Sequence, residues 1–171
     1  MAKLRDKMKE LLLQYARYNV WANKRIIDIL SKMDVEVIME KEFESSFPTL
    51  KDTVYHIWSA EFIWLQRLQL TENPVWISDI FKGSFEEACT VWQDVSLIIV
   101  QFIEKQYDDR AFEHVFQFYD RVKESYKFPV YTALNHVLNH SSQHRGQIIT
   151  MLRQAGIAKI PSIDLCTFVT S

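Results

Sequence analysis

Apolar residues recur along most of this chain at three- and four-residue steps, the period of an α-helix. Over residues 3–33, Leu11, Tyr15, Tyr18, Ala22, Ile26 and Ile29 fall on one stripe with charged residues between them. That pattern predicts an amphipathic helix with one buried face. Residues 34–48 lack periodicity and end in Ser45-Ser46-Phe47-Pro48-Thr49, so they are expected to connect. Thr49 followed by Asp52 is a hydroxyl cap with an acid three residues on. A second helix should start there and run to about Leu70 with Val54, Ile57, Trp58, Phe62, Leu65 and Leu68 inward, before Glu72-Asn73-Pro74 stops it. Residues 74–83 connect again. Ser84 with Glu87 is a fuller capping box and opens a third helix to about Tyr107, with Ala88, Val91, Trp92, Val95, Ile98, Ile99 and Phe102 inward.

The period changes over residues 108–129. Phe112, His114, Phe116 and Phe118 alternate with other residues, which fits two short strands or a hairpin loop better than helix. The last helix is expected from Pro129 or Val130 to Ala155, with Gly156 placed to cap its end and a non-helical tail from Pro161. Four long amphipathic helices in one domain spanning 1–171 predict an all-α four-helix bundle with a short hairpin or loop insertion before the last helix.

Composition supports that class and narrows the partners. Three glycines and four prolines in 171 residues leave long stretches without a breaker. Hydrophobic residues at 48% and charged residues at 25% match an ordinary globular protein. A net charge of −2 gives no electrostatic case for nucleic acid or an anionic membrane. No stretch reaches the roughly 18 apolar residues of a membrane span, and the charged first residues do not read as a signal peptide. Cys89 and Cys166 are far apart and in no metal or redox spacing, so they are expected to be reduced thiols in a cytoplasmic protein.

The histidines carry the candidate chemistry. His136, His140 and His144 stand four apart in the last helix. Each step drifts only about 40° around the axis and climbs about 6 Å, so adjacent members can face one ion. His136 and His144 are about 12 Å apart along the axis, too far to share an ion easily, so one adjacent pair must be chosen. His56, beside the apolar face of the second helix, could complete a three-nitrogen site, because packed helices approach within about 8–10 Å. Three imidazoles leave coordination positions open, which marks an exchangeable or catalytic site more than a closed structural one. Nitrogen ligation suits zinc, nickel, iron or copper. His114, in the hairpin region, is expected to be structural.

The run Asn135-His136-Val137-Leu138-Asn139-His140-Ser141-Ser142-Gln143-His144-Arg145-Gly146-Gln147 resembles the C-terminal signature of the DinB/YfiT-like family. The segment from Leu50 to Trp64, with His56, Glu61 and Trp64, is similar to its second-helix hallmark. Tyr18-Asn19-Val20-Trp21-Ala22-Asn23 and Pro161-Ser162-Ile163-Asp164 are similar to its first helix and its tail, so the resemblance spans nearly the whole chain in order. It implies an up-down-down-up bundle, usually dimeric, and a divalent metal on His56, His140 and His144, with His136 a frequent family histidine outside the ligand set. Zinc or nickel is the first expectation and iron the next.

Around that set, Asn139, Gln143 and Gln147 could orient ligand imidazoles or a bound water or be helix-surface polar groups, and Glu61 could hydrogen-bond a ligand histidine or stand solvated or ion-paired. Arg145 could attract an anionic substrate or form an interhelical ion pair. Family relatives include metal-dependent transferases and isomerases that use low-molecular-weight thiols such as mycothiol or bacillithiol. The resemblance therefore implies thiol transfer to an electrophile, or a related hydrolysis. The alternative is a non-catalytic metal-binding stress protein. No residue away from the metal set reads as a separate acid, base or nucleophile.

Overall fold

The computed structural model describes residues 7–171. Its elements are α1 (Lys7–Leu30), α2 (Val35–Met39), α3 (Leu50–Leu68), α4 (Ile77–Ile80), α5 (Phe85–Glu104), α6 (Arg110–Glu113), β1 (Val115–Tyr119), β2 (Ser125–Pro129), α7 (Val130–Gln154) and α8 (Leu165–Thr170). The four long helices form the bundle. Residues 3–6, where the first helix was expected to begin, lie outside the described residues.

Local chemistry sets most boundaries. The Thr49 hydroxyl accepts the Asp52 amide at the start of α3, and Ser84 with Glu87 forms a complete capping box on α5. Both oxygens of Asp109 accept amides in the first turn of α1, from Met8 and Lys9, placing negative charge at the positive end of that helix. Gly156 has φ of +91° just past α7. There Gly156 N–H donates to Arg153 O and Ile157 N–H to Leu152 O, a Schellman end that a side chain at this φ would strain.

Cross-helix pairs fix how the long helices run. Met8 meets Asp109 and Asn23 meets Ser96, so α1 and α5 are antiparallel. Thr53 meets Met151 and Trp64 meets His136, so α3 and α7 are antiparallel. Tyr15 meets Ser142 and Asn19 meets Arg145, so α1 and α7 are parallel. Tyr55 meets Phe85 and Glu61 meets Ser96, so α3 and α5 are parallel. Each long helix packs on two of the others, and Trp58, Trp92 and Ile99 lie in the common core.

The hairpin forms in antiparallel register, with Phe116 opposite Phe128 and Phe118 opposite Tyr126. Phe116 and Phe118 point inward on alternate positions, and Phe118 packs edge-on against Trp64 at 4.9 Å between centroids. Phe112 belongs to α6 and is fully buried, not part of the strand alternation.

Three expectations are corrected. Short helices α2 and α4 occupy the stretches read as connectors, and α8 occupies part of the tail read as non-helical. α8 is held because Phe168 packs on Tyr18 and Trp21 of α1, with centroids 6.0 and 5.6 Å away. The stripe of α1 is only partly as expected: Tyr18, Ala22 and Ile26 are buried, but Leu11 is 65% exposed, and Leu12, Ala16, Asn19, Asn23 and Leu30 join the buried face. No described helix is long and apolar enough to cross a membrane.

Candidate metal centre

α3 and α7 bring three histidines together. On α3, Ile57 and Trp58 are fully buried, and His56, next to them, reaches the edge of the core only half-buried. On α7 the buried face runs through Val137, Ser141, Arg145 and Ile148, with His140 on its margin and His144 within it. Because the two helices run antiparallel, His56 faces both. Its Nε2 lies 2.9 Å from Nε2 of His140. The ring of His56 is 4.7 Å from that of His140 and 4.6 Å from that of His144, and His140 and His144 are 4.5 Å apart.

One nitrogen from each imidazole lies within 4.8 Å of the others. Bonds of about 2.0–2.1 Å in a tetrahedron separate ligand nitrogens by about 3.3 Å, so a zinc-like ion needs the 2.9 Å His56–His140 pair to open slightly and any wider separation to close. His136 stays outside the cluster, its ring 6.0 Å from His140 and 5.0 Å from Trp64. His114 caps α6.

The donors are in the form an ion requires. Burial, and then the nearby His144, holds His56 down to about 4. Burial, followed by its three histidine neighbours, holds His140 down to about 3. Both are therefore neutral near pH 7, with a lone pair available. His144 Nδ1 lies 2.7 Å from Gln147 Oε1, an acceptor, so Nδ1 carries the proton and Nε2 is left as the donor atom. The amide of Gln147 is itself oriented, because its Nε2 donates to Ser46 Oγ at 2.8 Å. Nδ1 of His140 is buried without a partner. Among the described residues no carboxylate or thiolate joins the three nitrogens, so an ion held by these alone would keep its full positive charge toward any further ligand.

The other sequence candidates divide. Gln147 touches His144, one helical turn along from it. Asn139 and Gln143 are exposed on α7 and make no hydrogen bond to His56, His140 or His144 among the described residues. Glu61 does not reach the histidines either. It is fully buried and accepts from Asn19 Nδ2 (2.8 Å), Asn23 Nδ2 (3.0 Å), Ser141 Oγ (2.9 Å) and Ser96 Oγ (2.5 Å).

Arg145 faces this network and not solvent. It donates to the side-chain oxygens of Asn19, Asn23 and Ser142. Asn19 and Asn23 thus bridge a buried carboxylate and a buried guanidinium, each amide giving its N–H₂ to one and its oxygen to the other. Ser141 and Arg145 directly follow His140 and His144. The network therefore ties the rotation of α7 to the other three long helices and keeps both histidines turned toward α3.

Phe47 and Ser46 were not foreseen. The Phe47 ring lies 4.1 Å from His56 and 5.7 Å from His144, covering one side of the triad. Its loop is closed by Phe43 N–H donating to Pro48 O. The only signal in the sequence was a large aromatic residue inside a serine-rich connector. For Asn19 and Asn23 the signal was two poor helix formers four apart, interrupting an apolar stripe.

Comparison with known proteins places the chain in a family with the same fold. The family model described as the DinB family covers residues 6–169. Protein DinB of Bacillus subtilis (strain 168) is 25% identical over 180 aligned residues, covering 91% of this chain and 92% of that protein. The crystal structure of a DinB-like protein from Bacillus cereus ATCC 10987 superposes with a TM-score of 0.69 at 22% identity, covering 90% of this chain and 95% of that one. At that identity the superposition speaks for the fold, and the family model covers almost every residue; the chain belongs to the DinB family.

Proposed function

We propose that this protein holds one divalent transition-metal ion on His56, His140 and His144 and uses its open side to activate a low-molecular-weight thiol for transfer to an electrophile. The observation that carries the reading is the triad itself: three imidazole nitrogens within 4.8 Å, two of them held neutral by burial, with no anionic ligand among them. When bound, the ion supplies a Lewis-acid position that favours an anion and holds a thiol as thiolate at neutral pH. Zinc or nickel suits the nitrogen set first, and iron next.

The chain's own residues supply placement. Gln147 keeps the proton of His144 on Nδ1, and Ser46 keeps Gln147 in place. Phe47 shields the rings from water on its side, while half-buried His56 and His140 leave another approach for substrate. Arg145, once a candidate for drawing in the thiol, is committed to the core, so attraction of the anion rests on the ion. A homodimer in the cytoplasm completes the proposal, and light scattering checks the dimer.

The test is metal analysis of protein purified without a histidine tag, followed by thiol-consumption assays across a panel of electrophiles. One bound ion is expected, lost in His140→Ala, together with metal-dependent loss of free thiol. Less than about 0.1 equivalent after reconstitution refutes the site. A bound ion with no metal-dependent thiol consumption refutes the transfer and leaves a non-catalytic metal protein.

A further inference from the structure

Far from the triad, a second region has the features of a ligand site. Arg67 lies eleven residues beyond His56 on α3, about 16 Å along the axis. Its side chain lines a cleft of about 640 Å³ between the end of α3, the loop after it and the β1–β2 hairpin. The residue is only 8% exposed. Its guanidinium sits over three aromatic rings, 4.6 Å from Phe118, 4.8 Å from Trp64 and 5.9 Å from Trp76.

A guanidinium has five N–H donors, and burying one without acceptors is costly. Here Nη2 donates to the Tyr119 carbonyl at 3.0 Å, and Nε has no partner. Burial lowers the affinity of Arg67 for its proton, with Asp120 partly opposing that effect. Asp120 is occupied elsewhere: its Oδ1 accepts the amides of Val122 and Glu124, both at 2.9 Å.

The cleft's rim adds two observations. Leu70 and Lys123 are the two non-glycine residues with positive φ among those described, at 57° and 64°, and both line this cleft. Both are turn positions: past the end of α3 Leu70 N–H donates to Arg67 O and Thr71 N–H to Gln66 O, and Lys123 sits in the β1–β2 turn with its N–H donating to Asp120 O, so they set the shape of the rim. Lys123 contributes a second cation, and Arg121, stacked 4.1 Å over Trp76, stands beside it as a third. Glu72, exposed, and Asp120 also line the cleft and are the opposing charges.

We propose that this cleft is a binding site for a small aromatic oxyanion, its carboxylate or phosphate on Arg67 and Lys123 and its ring against Trp76 and Phe118. The buried fork supplies the donors that planar or tetrahedral oxyanions take in pairs. The aromatic walls supply the apolar contact that makes a bare inorganic ion a poorer fit. The site stands apart from the histidine triad and does not depend on a metal there.

Trp64 and Trp76 make the test direct. Benzoate and phenyl phosphate are titrated against the full chain, with tryptophan fluorescence and amide chemical shifts as readouts and benzyl alcohol as the neutral control. Saturable binding of at least one anion is expected, and the tighter of the two identifies the oxyanion. Arg67→Lys, which keeps charge but loses the fork, is expected to weaken it about tenfold.

Lys123→Asn tolerates the left-handed backbone while removing a cation, and is expected to weaken binding about threefold even if Arg67 variants fold poorly. His140→Ala should bind as wild type does, which separates this site from the metal reading. Three results would overturn the proposal: no saturable change with either anion to ~20 mM, benzyl alcohol binding equally well, or wild-type affinity in folded Lys123→Asn.

Discussion

Replacing Glu61 by glutamine keeps the shape of the buried network and removes its negative charge. The carboxylate accepts four hydrogen bonds, three of them on Oε1. An uncharged oxygen is a weaker acceptor, at a loss of about 1 kcal/mol for each bond that had been charge-assisted. Arg145, fully buried, also loses its opposite charge. Breaking a direct buried ion pair costs about 3–5 kcal/mol. Here Asn19 and Asn23 stand between the two charges, so the low end applies and the expected loss is about 3 kcal/mol. For a chain of this size that corresponds to a fall in Tm of about 6–12 °C.

Calorimetry of metal-free wild type, Glu61→Gln, Arg145→Met and the double variant measures this. The singles should each be destabilised, and the double should fall short of their sum by about 1–3 kcal/mol, because each removes the other's reason to be charged. Glu61→Gln melting within about 1 °C of wild type would refute the reasoning, since the network would then be held by shape alone.

Three further outcomes follow from the geometry. Gln147→Ala removes the acceptor of His144 Nδ1 and should weaken metal binding about 10–100-fold in a competition titration with a chromophoric chelator, while leaving the metal-free melt nearly unchanged. Burial holds His56 and His140 down to about 4 and about 3 in the folded chain against 6.5 when free, so between pH 6.5 and about 3 the unfolded chain takes up more protons. Metal-free stability should therefore be full above pH 6.5 and fall on acidification through that window, with a shallower slope in the His56→Gln/His140→Gln double variant. Gly156→Ala meets no neighbouring atom within 4 Å but must hold φ at +91°, and denaturant melts should show a loss of about 1 kcal/mol.

The long helices and their caps were legible because they rest on local signals: an apolar period, Thr49 with Asp52, Ser84 with Glu87, and Gly156 past the last turn. His140 and His144 were legible for the same reason, since four-residue spacing on one helix is a local property. His56 needed the family resemblance, because nothing local says which helix will face α7. The buried face of α1 was legible at Tyr18, Ala22 and Ile26 but not at Leu11. Counting only apolar positions favours Leu11, but Asn19 and Asn23 belong to the core, satisfied by groups from α3, α5 and α7. Glu61 was misassigned on the same ground, because a charge on a helix reads as solvated until its partners are known. Phe47 and α8 depend on where a connector and a tail settle in space, and composition carries little of that.

His56 and His140 touch across 84 positions of chain. Such a contact cannot exist while the protein is being made until most of it has left the ribosome, and the third nitrogen arrives four residues later still. A chain ending before α7 would display His56 alone, a weak ligand with nothing to chelate. Capture of an ion on the triad would therefore be a late event in the life of each molecule, and would require that α3 and α7 have come together. Cells short of metal would accumulate chains with a finished bundle and an open clasp, and these would be cleared sooner than their loaded siblings by any protease that samples the opening of α7.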